Sequence, residues 1–316
     1  MPADLITLEL NTSVHMSFRW LPPGEFRMGS RGWNSIEEPP HWVRLSGFYM
    51  GITPVTQEQF AVWTEQLGID HKNKFPERPQ HPAENLDWFQ ASRFCDWLNT
   101  MHVAAIPTGF AAALPSEAQW EYASRLMRDA ADKPRAVETE YYTGDGAAAL
   151  DVAGWYRDNS ADSPQPVGQK QPTDFGLYDL HGNVWEWCRD DWDPDAYKRH
   201  EDGVLDPEVS MPRERGSEHG LRVMRGGGWF NSPANCRAAF RDRGGPGFRF
   251  WGLGFRVCLL SGPCAEQSVK GAASEPGTED AAWRDDTRES PVRGGDAATV
   301  DLSRSNLPSR SDGKNM

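Results

Sequence analysis

Phe175-Gly176-Leu177-Tyr178-Asp179-Leu180-His181-Gly182-Asn183-Val184-Trp185-Glu186-Trp187 is the stretch that most limits how this chain can fold. It crowds large aromatics, two glycines and two carboxylates into a span where a solvated loop or a plain amphipathic helix would need none of them. Gly176 and Gly182 can adopt backbone angles closed to other residues and let a neighbouring chain come close. Tyr178, Trp185 and Trp187 bring apolar bodies whose polar ends need partners once buried. Val184-Trp185-Glu186-Trp187 alternates as a short strand, with Val184 and Glu186 on one side and the tryptophans on the other. Glu186 then faces inward or toward a partner. Asp179 and Glu186, with carbonyls of the glycine turn, make an oxygen-rich set suited to calcium. A turn aspartate beside a glutamate paired with an arginine is the competing reading.

The whole chain, 316 residues, can hold one large domain or two small ones with a substantial core. Its 14 tryptophans and 30 glycines fit a loop-rich fold held by aromatic anchors better than a helical bundle. A formal net charge of -13 argues against a nucleic-acid backbone as partner, because phosphate binding relies on clustered Lys and Arg. Cys95, Cys188, Cys236, Cys258 and Cys264 show no Cys-x-x-Cys spacing, the usage of a reducing compartment. No basic segment followed by an apolar run opens the chain, and no apolar run reaches about eighteen residues. The expectation is a cytoplasmic protein without a membrane span.

In chain order, residues 1–15 read as a poorly anchored lead-in. Phe18-Arg19-Trp20-Leu21 and Phe26-Arg27-Met28 read as strands on either side of a Pro-Gly turn. Trp42-Val43-Arg44-Leu45 and Phe48-Tyr49-Met50 extend the β pattern, with Glu37, Glu38 and His41 in a solvated loop. Helices are expected from the Thr56 cap to about Gly68, from Trp88 to Met101, and from a Ser116/Gln119 capping box onward. In the second helix Cys95 is a core thiol. Residues 125–172 lose periodicity, and 190–220 read as a polar surface insertion. Arg222-Val223-Met224-Arg225 and Phe255-Arg256-Val257-Cys258-Leu259 are late strands. Arg225, Arg237 and Arg256 suit bidentate pairing with buried carboxylates. Residues 262–316 carry too little apolar surface to offset the entropy of ordering and read as a disordered polar tail.

Several further stretches accompany the opening one: Pro22-Pro23-Gly24-Glu25-Phe26-Arg27-Met28-Gly29-Ser30, Leu114-Pro115-Ser116-Glu117-Ala118-Gln119-Trp120-Glu121-Tyr122-Ala123, Arg225-Gly226-Gly227-Gly228-Trp229 and Gly254-Phe255-Arg256. Their order and spacing resemble the formylglycine-generating enzyme, or sulfatase-modifying factor, family. The resemblance implies a single α+β domain over 16–261, a loop-rich elaboration of the C-type lectin fold with short antiparallel sheets and about three helices. It also implies calcium at Asp179, Gly182, Val184 and Glu186, the middle two through carbonyls.

The catalytic members use two cysteines just after the Gly-Gly turn to hold copper(I), which soft thiolates suit. The matching positions here are Asn231 and Cys236. An amide replaces one thiolate, so copper is not expected. The leading expectation is a binding module for an unidentified protein or small-molecule ligand. It is most like the variable proteins of diversity-generating retroelements, whose changeable surface lies near the C-terminus. That surface, about 229–252, would use Phe230, Asn231, Ser232, Asp242, Gly244, Gly247, Phe248, Phe250, Trp251 and Gly252. The alternative is a related metal-dependent oxidase with Cys236 as its reactive group.

Overall fold

The computed structural model describes residues 2–211 and 220–261, so the expected tail at 262–316 lies outside the described residues. The first fifteen residues are no loose lead-in. Strand β1 (Leu5–Glu9) pairs antiparallel with β2 (His15–Leu21), Leu5 opposite Arg19 and Glu9 opposite His15. Ile6, Leu8 and Leu10 alternate with exposed neighbours, and Leu8 and Leu10 are buried, so one face of the edge strand is fixed to the core. The sheet continues with β5 (Phe48–Gly51), β14 (Cys258–Ser261) and β6 (Phe110–Ala113), joining the beginning of the domain to its end.

Strand β3 (Gly24–Met28) does not fold back on β2 as the Pro-Gly turn suggests. It pairs with β4 (His41–Leu45) in a second sheet, to which β10 (Val204–Leu205) adds in parallel. Glu37 and His41 are likewise not solvated. Glu37 ends a 3₁₀ turn at Ser35–Glu37 and is fully buried, and His41 opens β4 at 4% exposure. A hairpin of β7 (Leu126–Arg128) and β8 (Pro134–Ala136) follows the third helix.

The third sheet carries the candidate site. Its order is β12 (Arg241–Gly244), β11 (Arg222–Arg225), β9 (Trp185–Asp191) and β13 (Leu253–Gly254), with β13 parallel to β9. The expected last strand is therefore broken: β13 and β14 lie in different sheets, and Phe255–Val257 crosses between them. Part of the expected surface insertion is interior too, since β9 runs to Asp191 and Asp190, Asp191 and Asp193 are all buried.

Helices α1 (Gln57–Leu67), α2 (Trp88–Met101) and α3 (Glu117–Arg125) each begin with a complete capping box, from Thr56/Gln59, Asp87/Gln90 and Ser116/Gln119. Gly68 ends α1 in the left-handed conformation, at φ 65°. Two shorter helices, α4 (Ala147–Ala153) and α5 (Ala196–Arg199), form where no periodicity is visible. The result is an α+β, loop-rich architecture. One apolar cluster packs Phe60, Trp63, Phe94 and Leu98 of α1 and α2 against Trp185, Trp187 and Phe255. A second packs Trp120 and Tyr122 of α3 against Phe26, Val43, Leu180 and Val223.

Candidate functional site

Several buried arginine–carboxylate pairs surround the third sheet. Arg256 grips Glu186 through Nε to Oε2 at 2.6 Å and Nη2 to Oε1 at 2.7 Å. Trp120 adds Nε1 to Oε2 at 2.7 Å. Arg225 reaches Glu121, Arg237 forks onto Glu37 at 3.0 and 2.9 Å, and Arg241 forks onto Glu117 at 2.6 and 2.7 Å. The pairing expected of Arg225, Arg237 and Arg256 is thus present, with Arg241 as a fourth. Burial alone would raise the Glu121 carboxyl, but the Arg125 and Arg225 guanidiniums outweigh it and hold it below its usual range. These pairs fix β9, β11 and β12 against α3, and with them the turns that follow β11.

The motif 175–187 folds as a compact loop leading into β9. Gly176, Asp179, Gly182 and Asn183 all take positive φ, at 74°, 57°, 98° and 62°. Asp179 Oδ2 accepts from the Gly168 amide at 2.8 Å and Oδ1 from Asn183 Nδ2 at 3.2 Å. Asp179 and Glu186 are at most 1% exposed, and Arg256 is the cation they share, with its fork committed to Glu186. Two carboxylates against one guanidinium leave one buried negative charge uncompensated. Burial accordingly lifts the Asp179 carboxyl to about 6. Among the described residues no cluster of three or more His, Cys, Asp or Glu side chains is placed to hold a metal. Asp179 and Glu186 offer oxygen atoms, the donor type calcium takes. Asp179 keeps spare lone pairs, whereas Glu186 has only the outer one of Oε1 left.

The turn after β11 sets the other part of the site. Gly226 and Gly227 have φ of 97° and 69°, and a Cβ on Gly227 would stand 2.7 Å from Cys236 Sγ and 2.8 Å from the Asn235 carbonyl oxygen. Asn231 is 5% exposed, and its Oδ1 accepts from Trp185 Nε1 at 2.8 Å and the Gly228 amide at 2.9 Å. The residue standing where the catalytic pattern wants a thiolate is therefore a hydrogen-bonding tie between the glycine turn and β9. Cys236 is fully buried in a small cluster with Tyr141, Leu150 and Tyr156, and burial pushes its thiol up. Cys188 and Cys258 are buried in a different apolar cluster, with Trp120 and Val223.

Of the ten expected ligand-face residues, the structure gathers about half into one surface. Phe230 stands edge-on to Phe250 at 5.1 Å and Trp251 at 5.1 Å, Phe250 lies 4.3 Å from Trp251, and Phe248 stacks on Phe250 at 6.2 Å. Phe248 is exposed, the other three are half-buried, and Gly247 lies on the exposed rim. Asn231, Gly244 and Gly252 are buried scaffold rather than surface. Gly252 lets Phe230 and Phe250 close over the backbone, and Gly244 sits beneath Trp187 and Phe248. Ser232 and Asp242 make local contacts, to Asn235 Oδ1 at 2.8 Å and from the Arg243 amide at 2.8 Å. Trp229, at 7% exposure, is the inner wall of the surface.

Sequence reasoning missed the supports of this face. Phe75 packs edge-on against Trp229 at 5.8 Å, Arg249 is forked onto Asp87 at 3.0 and 2.7 Å, and the Asn85 amide donates to the Phe250 carbonyl at 3.0 Å. All three come from the segment before α2, far from the face in sequence, where no spacing pattern could link them.

The sequence profile described as "Sulfatase-modifying factor enzyme 1-like domain" matches residues 9–259. The chain belongs to this family. It is 28% identical over 309 residues to a formylglycine-generating enzyme of Streptomyces coelicolor, covering 78% of this chain and 91% of that one. It is 30% identical over 254 residues to the serine/threonine-protein kinase Pkn1 of Chlamydia trachomatis serovar L2, covering 74% of this chain but 36% of Pkn1, so it spans about a third of that relative's length. Among solved structures, Treponema denticola variable protein 1 superposes with a TM-score of 0.67 at 25% identity, covering 81% of this chain and 99% of that protein. The sulfatase-modifying-factor domain thus has here the C-type-lectin-like fold its motifs imply. No helix among the described residues is long and apolar enough to cross a membrane.

Proposed function

We propose that this sulfatase-modifying-factor domain is a recognition module whose ligand face is Phe230, Gly247, Phe248, Phe250 and Trp251. The reading rests above all on Asn231: a buried amide spent on Trp185 and Gly228 is a poor ligand for copper(I) and is part of the scaffold. Cys236, the remaining family cysteine, is enclosed and kept in its thiol form, which is neither nucleophile nor ligand. What stays on the surface is a set of aromatic rings held from behind by glycines and by Arg249–Asp87. Clustered aromatics of low conformational entropy are the groups that carry binding energy at recognition surfaces. Similarity to a variable protein over nearly its full length supports the same reading. The similarity to part of Pkn1 accords with a domain that also serves inside longer proteins.

Calcium at Asp179, with carbonyls of Gly182 and Val184 and the outer lone pair of Glu186, is proposed as the staple of this scaffold. When bound it would neutralise the excess carboxylate charge of Asp179 and Glu186.

The binding proposal is tested on a combined peptide and glycan array probed with the purified protein and with a Phe250→Ala/Trp251→Ala variant. Specific signals in the parent that vanish in a folded variant support it. An array without specific signals, or signals untouched by the variant, would count against it.

A further inference from the structure

A second site lies away from the aromatic face, between β2 and the turn that opens the 175–187 motif. A cleft of about 470 Å³ there is lined by Arg19, Trp20, Arg128, Thr173, Phe175 and Gly176, with Asp4 and Asp174 also on its wall. Arg19 sits on β2 between Leu5 and Met50 of the neighbouring strands and is half-buried. Its Nε is shut off from solvent and has no acceptor, and no carboxylate or carbonyl oxygen among the described residues accepts from the rest of its guanidinium. Arg237, Arg241 and Arg256 are each forked onto a carboxylate, whereas no carboxylate among the described residues receives the Arg19 guanidinium. A buried donor without a partner is uncommon in a native fold and calls for a water, an ion or a ligand.

The surroundings hold the guanidinium in place and leave it uncompensated. Gly176, at φ 74°, brings the backbone against it: a Cβ there would lie 3.5 Å from Nη2 and 3.7 Å from Nε. Arg128 lies 4.7 Å over the Phe175 ring and is answered by Asp132, through Oδ1 at 3.4 Å and the carbonyl oxygen at 3.1 Å. Asp174 Oδ2 is taken by the Arg128 amide at 2.8 Å, and Asp4 is exposed. Neither acid pairs with Arg19.

We propose that this cleft is an oxyanion site in which Arg19 anchors a phosphate or carboxylate group, with the Arg128 charge at its rim. A planar guanidinium fork matches both groups in bidentate fashion, and a half-buried fork holds them more strongly than one in open solvent. The site is independent of the aromatic face and of the calcium proposal.

The test is a calorimetric titration of the full-length protein with inorganic phosphate and, separately, with acetate, at constant ionic strength and against a chloride control. Saturable binding of at least one of the two, with chloride inert, is expected, and the arm that responds tells phosphate from carboxylate chemistry. Arg19→Lys, which keeps the charge but loses the fork, should bind about tenfold more weakly, and Arg19→Gln should not bind while keeping the near-ultraviolet circular dichroism of the parent. Arg128→Gln should weaken binding without abolishing it. No saturable response of the parent to either oxyanion would overturn the proposal whatever the variants do, and so would an undiminished response in folded Arg19→Gln.

Discussion

Replacing Glu186 by glutamine probes the interior of the site most sharply. Both Glu186 and Arg256 side chains are 0% exposed, and the carboxylate receives three donors at 2.6 to 2.7 Å. Glutamine keeps one acceptor oxygen but sets an NH2 group against a guanidinium N–H, and it takes from Arg256 the carboxylate its fork is bonded to, leaving only the Asp179 charge, to which it makes no hydrogen bond. Breaking a buried pair from one side costs roughly 3–5 kcal/mol. In a domain of this size each kcal/mol moves the melting temperature by about 2–4 °C, so a drop on the order of 6–20 °C follows. Urea unfolding followed by tryptophan fluorescence, in chelator so that no bound calcium contributes, gives the free energy directly. The Glu186→Leu/Arg256→Met double variant should recover part of the loss, because replacing both partners by apolar groups removes the stranded guanidinium, although Asp179 loses its cation and is pushed further toward its protonated form. A loss below about 1 kcal/mol in Glu186→Gln, or a double variant no better than the sum of the singles, would refute the account of this pair.

Three further outcomes follow from the geometry. Chelation of the purified protein should lower its melting temperature, and Asp179→Asn should remove that response; an unchanged melting temperature in chelator and in added calcium would dispose of the calcium staple. Gly227→Ala should destabilise the fold by about 2 kcal/mol or more, since its φ of 69° and the nearness of Cys236 Sγ both exclude a methyl group, and a neutral effect in urea unfolding would show the turn to be elsewhere. His200 Nδ1 lies 3.1 Å from His41 Nε2, while His41 Nδ1 faces the Pro39 carbonyl, and burial with the His41 charge lowers His200 to about 4. The unfolded chain takes up this proton near pH 6.5 and the folded one only near 4, so stability present above 6.5 should be lost as the pH falls toward 4. Partial exposure keeps the slope below the single-proton limit. His200→Gln should flatten that part of the pH–stability curve, and an identical curve would contradict it.

How much the sequence disclosed depended on whether the cause was local. The capping boxes at Thr56 and Ser116 are contacts within one turn, and both helix starts appear where those residues stand. Arginine–carboxylate pairing at Arg225, Arg237 and Arg256 was legible from residue type, but the partners Glu121 and Glu37 were not, being distant in sequence. Glu37 in particular looked solvated because nothing nearby announces the Arg237 fork that draws it into the core. The N-terminal strand was missed for a similar reason: Leu8 and Leu10 gain their burial from β2 and the sheet beyond it. At the aromatic face the rings were identifiable from the glycine-flanked run 244–252. Which of them are surface and which are scaffold depends on Phe75, Asn85 and Asp87 packing from behind.

The claim beneath the functional reading is that an amide at Asn231 and an enclosed thiol at Cys236 cannot perform copper-dependent oxidation. The direct measurement is incubation of the purified protein with copper(I), oxygen and a cysteine-containing peptide, with the peptide followed by mass spectrometry. The account expects the peptide cysteine to be returned without conversion to an aldehyde, at any copper loading. Conversion of that cysteine to an aldehyde that is lost in Cys236→Ala would contradict it.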